Sequence, residues 1–180
     1  MEKNPILQDW EARISGISAE FQAAFGSLSQ EQLEAKPSAE VWSIAENLQH
    51  LIRLNETYFP LFEQLKNHEL KTPWLGRKLS GFFGTLIKKS VEPSREKKIK
   101  TFAIWQPQAQ EREGSSLAAF MSHQERLALE LESLGPLIDE NPVLHSPANR
   151  NICYTLQQAV DIMLTHEERH LNQAKGLLDS

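Results

Sequence analysis

The sequence predicts an all-α fold, and more closely a four-helix bundle with a long connection between the second and third helices. Four segments repeat apolar residues in steps of three and four, which is the period of an amphipathic helix. In no segment do polar and apolar residues alternate for long enough to build a sheet. A length of 180 residues with 40% apolar content fits a single domain, which we take to span residues 1–180.

The first two helices are predicted at residues 5–27 and 43–67. The apolar stripe of the first is Leu7, Trp10, Ile14, Ile17, Phe21, Ala24, Phe25 and Leu28. The second opens at a capping box, in which the Ser43 side chain accepts from the Glu46 amide and Glu46 reaches back. Its apolar line is Ile44, Leu48, Leu51, Tyr58, Phe62 and Leu65. Because Pro60 lies inside this line, we expect a kink in the last turns.

The last two helices are predicted at residues 116–134 and 155–178. A Gly-Pro pair at 135–136 ends the former, and a second capping box, Thr155 with Gln158, opens the latter. The apolar residues of the third helix are Leu117, Phe120, Met121, Leu127, Ala128, Leu131 and Leu134. Those of the fourth are Leu156, Ala159, Val160, Met163, His170 (within the same stripe), Leu171, Ala174, Leu177 and Leu178. Four such faces bury one another most economically as a bundle.

The connection between the second and third helices is basic. Residues 66–100 carry 10 basic and 3 acidic side chains, whereas the segments on either side each have a net charge of −6. This window is either a solvated connection or an attractor for an anionic ligand or surface. Within it Leu75, Leu79, Phe82, Phe83, Leu86 and Ile87 form a short apolar face. The face predicts an extra helix across the bundle or a basic amphipathic helix at a membrane surface.

Several protein classes are excluded or disfavoured by composition. No apolar stretch approaches the roughly 20 residues of a membrane span, and no basic leader followed by an apolar run opens the sequence. The net charge of −5 argues against general nucleic-acid binding. A single cysteine, Cys153, excludes an internal disulfide framework and a cysteine-cluster metal site. We expect a cytoplasmic protein in which Cys153 is a small buried thiol.

The histidines predict a metal site. His166 and His170 are four residues apart, so both imidazoles lie on one face of the last helix and can meet one divalent ion. A third ligand must come from elsewhere, and His50, at the edge of the second helix's stripe, is the best candidate. The pair also satisfies the H-E-x-x-H pattern of zinc proteases, but the ten residues after His170 contain no further histidine. The alternative is two histidines placed on a helix by chance.

Three tryptophans and a further histidine also carry expectations about where they lie in the fold. We expect Trp10 and Trp42 in the core and leave Trp105 open as a pocket wall. His123 lies at the edge of the third helix's stripe. It is interpreted as a surface residue, with a hydrogen-bond donor to a metal ligand as the alternative.

Three segments resemble the DinB-like four-helix bundle family, which includes bacillithiol transferases. Residues 42–51, Trp-Ser-Ile-Ala-Glu-Asn-Leu-Gln-His-Leu, are similar to the entry of that family's second helix. Residues 165–173, with the two histidines, are similar to its last helix. Residues 100–107 resemble its link before the third helix, and we expect that link to be extended. The resemblance covers nearly the whole chain and is specific in the two histidine motifs.

The resemblance implies that His50, His166 and His170 bind one divalent metal, zinc or nickel. Some similar proteins transfer low-molecular-weight thiols such as bacillithiol to electrophiles, and others are thiol-dependent isomerases. We therefore expect a metal-dependent enzyme, a thiol S-transferase with a thiol as co-substrate, and by resemblance a homodimer. Glu167 or Glu168 would orient a ligand histidine or move a proton, and Glu167 is selected as the catalytic residue. The alternatives are a non-catalytic metal- or ligand-binding bundle and a scaffold without metal.

Overall fold

The computed structural model describes residues 4–93, 101–107 and 115–178. In chain order the helices are α1 (Pro5–Phe25), α2 (Gln30–Glu34), α3 (Ile44–Glu56), α4 (Phe59–Lys66), α5 (Trp74–Lys78), α6 (Ser80–Val91), α7 (Ser116–Ser133) and α8 (Leu156–Lys175). Two strands, β1 (Val143–His145) and β2 (Cys153–Thr155), pair antiparallel. Among the helices of these residues, none is both long and apolar enough to cross a membrane.

The four long helices α1, α3, α7 and α8 form the predicted bundle. Both α1 and α3 pack against α7 and α8, so α1 and α3 occupy opposite corners. The rings of Phe21 and Phe120, with centroids 4.5 Å apart, join α1 to α7 in the core. Trp10 is 1% exposed, as expected from the apolar stripe of α1. Burying each such large apolar side chain stabilises the fold by about 1.5–3 kcal/mol.

Both predicted capping boxes are confirmed. The Glu46 amide donates to Ser43 Oγ at 3.1 Å, and the Ser43 amide donates to the Glu46 carboxylate at 2.9 Å. At the start of α8 the Gln158 amide donates to Thr155 Oγ1, and the Thr155 amide donates to Gln158 Oε1. These caps fix where the two histidine-bearing helices begin, and therefore which residues face the interior.

The prediction of one helix over residues 43–67 was wrong. The chain turns at residues 57–58, and α4 then starts at Phe59 with Pro60 in its first turn. A proline is tolerated there because the first amides of a helix have no intrahelical acceptor. Proline therefore marks the start of a new helix rather than a kink in a continuous one.

The β1–β2 hairpin and α2 were not predicted. Each strand has three residues, which is too short for alternation of polar and apolar residues to be recognised. The short helix α2 begins at its own capping box, Ser29 with Gln32. The expected extended link at residues 100–107 is also corrected, because Ala103–Trp105 form a turn of 3-10 helix. Lys100, the first residue of that link, lies outside the described residues.

The extra helix expected in the basic connection exists as α5 and α6. Helix α6 packs along α8 and on β2, and a Cβ added to Gly84 would overlap the side-chain amide of Gln158. Lys88 Nζ lies 2.7 Å from Asp161 Oδ2, and the Arg169 guanidinium donates to the Glu92 carbonyl at 3.0 Å. Close backbone approach and these polar contacts fix α6 on the outside of the bundle. The remainder of the basic window, residues 94–100, lies outside the described ranges.

Replacing Gly84 by alanine should give a lower free energy of unfolding than replacing Gly81, which lies in the same helix and gains the same helix propensity. The new Cβ displaces the Gln158 amide from the Thr155 N–H, and losing a helix cap costs about 1 kcal/mol. Urea unfolding followed by circular dichroism measures the change. Gly81→Ala, where a Cβ meets nothing within 4 Å, is the matched control and should stabilise α6 through helix propensity. Equal effects of the two substitutions would contradict this account of the packing.

Candidate metal centre

The structure brings His50 of α3 together with His166 and His170 of α8. One ring nitrogen of each histidine lies within 4.8 Å of the other two. The Nε2 atoms of His166 and His170 are 3.1 Å apart, and the centroid of the His50 ring is 4.7 Å from that of His170. Histidines more than 100 residues apart in the sequence thus form one cluster, as the sequence predicted.

The spacing of the nitrogens fits a shared metal ion. Nitrogens bound to one ion at about 2.0–2.1 Å lie roughly 3.0–3.4 Å from each other, depending on the angle at the ion. The 3.1 Å between the Nε2 atoms of His166 and His170 falls in this range. Three imidazoles suit zinc, nickel and other late transition metals, and they leave coordination positions for further ligands. The cluster could therefore hold a divalent metal.

Two of the three rings are oriented by hydrogen bonds that sequence analysis missed. His50 Nδ1 lies 2.7 Å from the carbonyl oxygen of Trp105, and His170 Nδ1 lies 2.6 Å from Asn47 Oδ1. A carbonyl oxygen can only accept, so both Nδ1 atoms carry the proton. The lone pairs of the two Nε2 atoms are then free to bind a metal.

The orientation of the Asn47 amide is itself fixed. Its Nδ2 donates to the carbonyl oxygen of Ser43 at 2.9 Å, which leaves Oδ1 to face His170. Ser43 is the residue that caps α3. The start of α3 and the orientation of a candidate ligand are therefore connected through one amide group.

The histidines are held in the neutral form. Burial lowers the pKa of His50, against the opposing effect of its hydrogen bond to the Trp105 carbonyl. Burial also holds the pKa values of His166 and His170 well below the usual value, assisted by the neighbouring histidines and by the charge of Arg169. Neutral imidazole is the form that binds metal. Among the described residues no carboxylate belongs to the cluster, so a bound cation would keep its charge uncompensated.

Trp42 and Trp105 form the surroundings of the cluster. Trp42 was expected in the core, but it is half-buried and its ring lies beside His50 and His170, with centroids 5.0 and 6.1 Å away. Trp105, left open as a pocket wall, is also half-buried, and its indole donates to Thr57 Oγ1. His166 is the half-buried member of the three histidines, although its Nδ1 is buried.

Glu167 lies in a buried polar layer next to the cluster. Its Oε1 accepts hydrogen bonds from Asn55 Nδ2 at 2.7 Å and from Gln124 Nε2 at 2.8 Å. Burial raises the pKa of the Glu167 carboxyl to about 7, although both hydrogen bonds act in the opposite direction. Glu168, the other candidate, points to the surface and pairs with Arg13 of α1 at 2.9 Å. Glu167 is thus buried among side-chain amides, whereas Glu168 forms an ion pair near the surface.

His123 belongs to the same polar layer, so the interpretation as a surface residue was wrong. It is 4% exposed, its Nε2 lies 3.3 Å from Asn55 Nδ2, and its ring stacks on Phe59. Burial lowers the pKa of His123 to about 4. A sequence signal existed, because Asn55 and Gln124 occupy positions on apolar stripes where a polar residue must find an internal partner.

Cys153 is buried, as expected, on strand β2. A Cβ added to Gly76 of α5 would lie 2.6 Å from its Sγ, so the thiol is covered by backbone. Burial raises the pKa of the Cys153 thiol, which keeps it protonated and poorly nucleophilic.

Removing the acceptor for His170 should weaken metal binding. Asn47→Leu leaves Nδ1 of His170 without its partner, and the loss of such an orienting group typically costs 10–100-fold in metal affinity. Asn47→Asp keeps an acceptor oxygen for His170 but loses the hydrogen bond to the Ser43 carbonyl, so it should retain more of the affinity than Asn47→Leu. Titration calorimetry with zinc measures both. Unchanged zinc affinity of a folded Asn47→Leu protein would show that this hydrogen bond does not orient the ligand.

The pH dependence of stability should change in Glu167→Gln. The folded-state pKa of about 7 lies above the ordinary 4.5, so protonated Glu167 favours the folded state. The stability that it contributes is complete below pH 4.5 and is lost as pH rises through 7. Glutamine does not titrate, and its amide can donate to the unpartnered oxygens of Asn55 and Gln124. Between pH 4.5 and pH 7, the free energy of unfolding of the metal-free variant should therefore rise by on the order of 3 kcal/mol relative to that of metal-free wild type.

Urea unfolding across this pH range measures the difference. Glu132→Gln, at an exposed position of α7, is the control and should show no comparable gain. A difference between Glu167→Gln and wild type that is independent of pH would contradict the assignment of the buried proton to Glu167.

Comparison with family models gives a match to the DinB superfamily over residues 14–174. The matched region covers about nine tenths of the chain and includes all three histidines of the cluster. No curated protein and no solved structure matches the chain significantly.

Proposed function

Because this chain belongs to the DinB superfamily, we propose that its three-histidine cluster binds zinc or nickel and that the protein transfers a low-molecular-weight thiol to an electrophile. The observation that best supports this proposal is that three neutral imidazoles lie close enough together to share one metal ion. When bound there, a divalent cation would stabilise the thiolate form of a thiol, which is the nucleophilic form.

The charges around the cluster support an anionic ligand. His50, His166 and His170 are neutral, and the Arg169 guanidinium adds positive potential, since it lowers the pKa values of His166 and His170. A thiolate is a small anion that such a site favours. In the transfer, the sulfur forms a bond to the electrophilic carbon, the thiol proton leaves to solvent or a base, and the electron pair of the broken bond departs with the leaving group. Cys153 is too deeply buried to compete.

In this proposal Glu167 fixes the position of α8 relative to α3 and α7. Its carboxylate accepts from Asn55 of α3 and Gln124 of α7, and it lies one residue after His166. These bonds favour a role in holding His166 and His170 towards His50 over a role in moving protons. Glu167 is then a positioning residue for the ligand histidines.

A non-catalytic metal-binding bundle is the second candidate. His50 is 1% exposed and His170 is 6% exposed, which resembles a closed structural site more than an open catalytic one. In the catalytic proposal, small ligands reach the cluster past the half-buried His166 ring. The two candidates share the metal and differ in whether a thiol is consumed.

Metal-dependent thiol consumption tests the proposal. Wild-type protein loaded with zinc or nickel should consume bacillithiol, glutathione or cysteine together with an electrophile such as monochlorobimane. His50→Ala, His166→Ala and His170→Ala should each lose both bound metal, measured by elemental analysis, and turnover, because two imidazoles rarely hold a divalent ion against solvent. The helices should remain, since the apolar stripes are unchanged.

Two histidines outside the cluster provide controls. His145→Gln on β1 and His68→Asn after α4 should retain metal and turnover. Metal binding without thiol consumption would favour the non-catalytic candidate. Turnover that survives metal removal would reject the metal-dependent reaction, and failure of wild-type protein to take up either metal would reject both candidates.

The homodimer implied by the resemblance and the cytoplasmic location expected from composition stay predictions. Static light scattering of the purified protein measures its mass in solution.

A further inference from the structure

Helices α5 and α6 carry an exposed apolar stripe. Leu75 of α5, Leu79 between the two helices, and Phe82 and Leu86 of α6 are spaced by four, three and four residues, which is the spacing of one face of a continuous helix. Trp74 lies beside them at the start of α5. We call these five residues the α5–α6 stripe. Their exposed fractions run from 40% at Leu79 to 63% at Trp74 and Phe82. Apolar residues at this spacing normally face a core, but these face solvent.

The stripe cannot turn inwards, because the opposite side of the two helices is already packed. Gly84 contacts Gln158 of α8, and Gly76 contacts Cys153 of β2, each at a distance that leaves no room for a Cβ. Lys88 pairs with Asp161 on the same inner side. The exposed apolar face is therefore a fixed feature of the fold.

Cations border the stripe. Lys78 directly precedes Leu79, and Lys89 follows Leu86 by three residues, so both lie along the edge of the apolar face. Both are exposed, as is Arg77, and Lys78 Nζ lies 4.4 Å from the centroid of the Trp74 ring. Leucine and aromatic side chains flanked by lysines are the composition of helices that lie in the plane of a membrane surface.

We propose that the α5–α6 stripe binds the surface of an anionic phospholipid bilayer. The apolar side chains enter the boundary between headgroups and acyl chains, and Lys78 and Lys89 contact the headgroup anions. The bundle stays outside the bilayer, which makes this a peripheral attachment. The inference is independent of the proposed thiol chemistry.

Charge and area favour a membrane over a second copy of the chain. The stripe exposes on the order of 500 Å² of apolar surface, comparable to the largest patch of a typical monomer. A stable interface between two proteins buries roughly 800 Å² on each partner. A two-fold contact through the stripe would also bring Arg77, Lys78 and Lys89 of one copy near the same residues of the other, which is repulsive. An anionic bilayer attracts these cations, and its binding does not require an interface of roughly 800 Å².

Sedimentation with phospholipid vesicles tests the proposal. Wild-type protein should sediment with vesicles of phosphatidylcholine and phosphatidylserine in equal amounts, more weakly with phosphatidylcholine alone, and less as salt is raised. The double variant Phe82→Ser/Leu86→Ser should lose at least about tenfold in the vesicle partition coefficient, because two insertable side chains are gone. Leu129→Ser, which changes a side chain 66% exposed on α7, is the matched control and should bind as wild type.

A second double variant tests how much the lysines contribute to vesicle binding. Lys78→Glu/Lys89→Glu should also lose at least about tenfold on the mixed vesicles, since two attractive charges become repulsive. Lys175→Glu, at the far end of α8, is the control. A blue shift of tryptophan fluorescence on the mixed vesicles should disappear in Trp74→Phe. Because the changed side chains are exposed, melting curves should show that all variants fold.

Four outcomes would overturn the proposal. They are no sedimentation of wild-type protein with the mixed vesicles, equal binding to neutral and anionic vesicles, equal binding of Phe82→Ser/Leu86→Ser and wild type, or a solution dimer that the same double variant dissociates. The last would assign the stripe to a second copy of the chain.

Discussion

The carboxylate of Glu167 ties three helices of the bundle together. One oxygen accepts from Asn55 of α3 and from Gln124 of α7, while the residue itself belongs to α8. Each such hydrogen bond contributes about 0.5–1.5 kcal/mol, and a rotation or a one-residue slip of α8 would leave the two donors buried without partners, at a cost of about 1–3 kcal/mol each. Apolar stripes alone tolerate such slips far better than a buried polar layer does. The rotational setting of α8, and with it the direction of His166 and His170, follows from this one group.

The polar layer has a cost that the apolar core must offset. Asn55 Oδ1, Gln124 Oε1, Glu167 Oε2 and His166 Nδ1 are buried without a hydrogen-bond partner among the described residues. Each unpartnered group costs about 1–3 kcal/mol. A bundle under selection for stability alone would fill this layer with leucine. Several unpartnered polar groups in one buried layer are therefore typical of a region that serves binding or chemistry.

The sequence predicts the bundle and the three histidines because both depend on helical periodicity. A spacing of four places His166 and His170 on one face, and capping boxes fix where their helix and that of His50 begin. It does not predict the acceptor for His50, since any residue has a backbone carbonyl and 55 residues separate His50 from Trp105. Nor does it predict the β1–β2 hairpin, whose strands have three residues each, too few for alternation to be recognised. The apolar pattern of α6 was visible, but its outward direction depends on Gly84 packing against α8.

Ser43 has two roles that are usually separate. Its side chain caps α3, and its carbonyl holds the amide of Asn47, which in turn holds His170. Fraying of the first turn of α3 would release the ring of a residue on another helix. Conversely, any ligand that fixes the His170 ring also resists fraying at Ser43. Ligand affinity at the cluster and local stability of this helix end are thus linked, and each changes the other by the same coupling free energy.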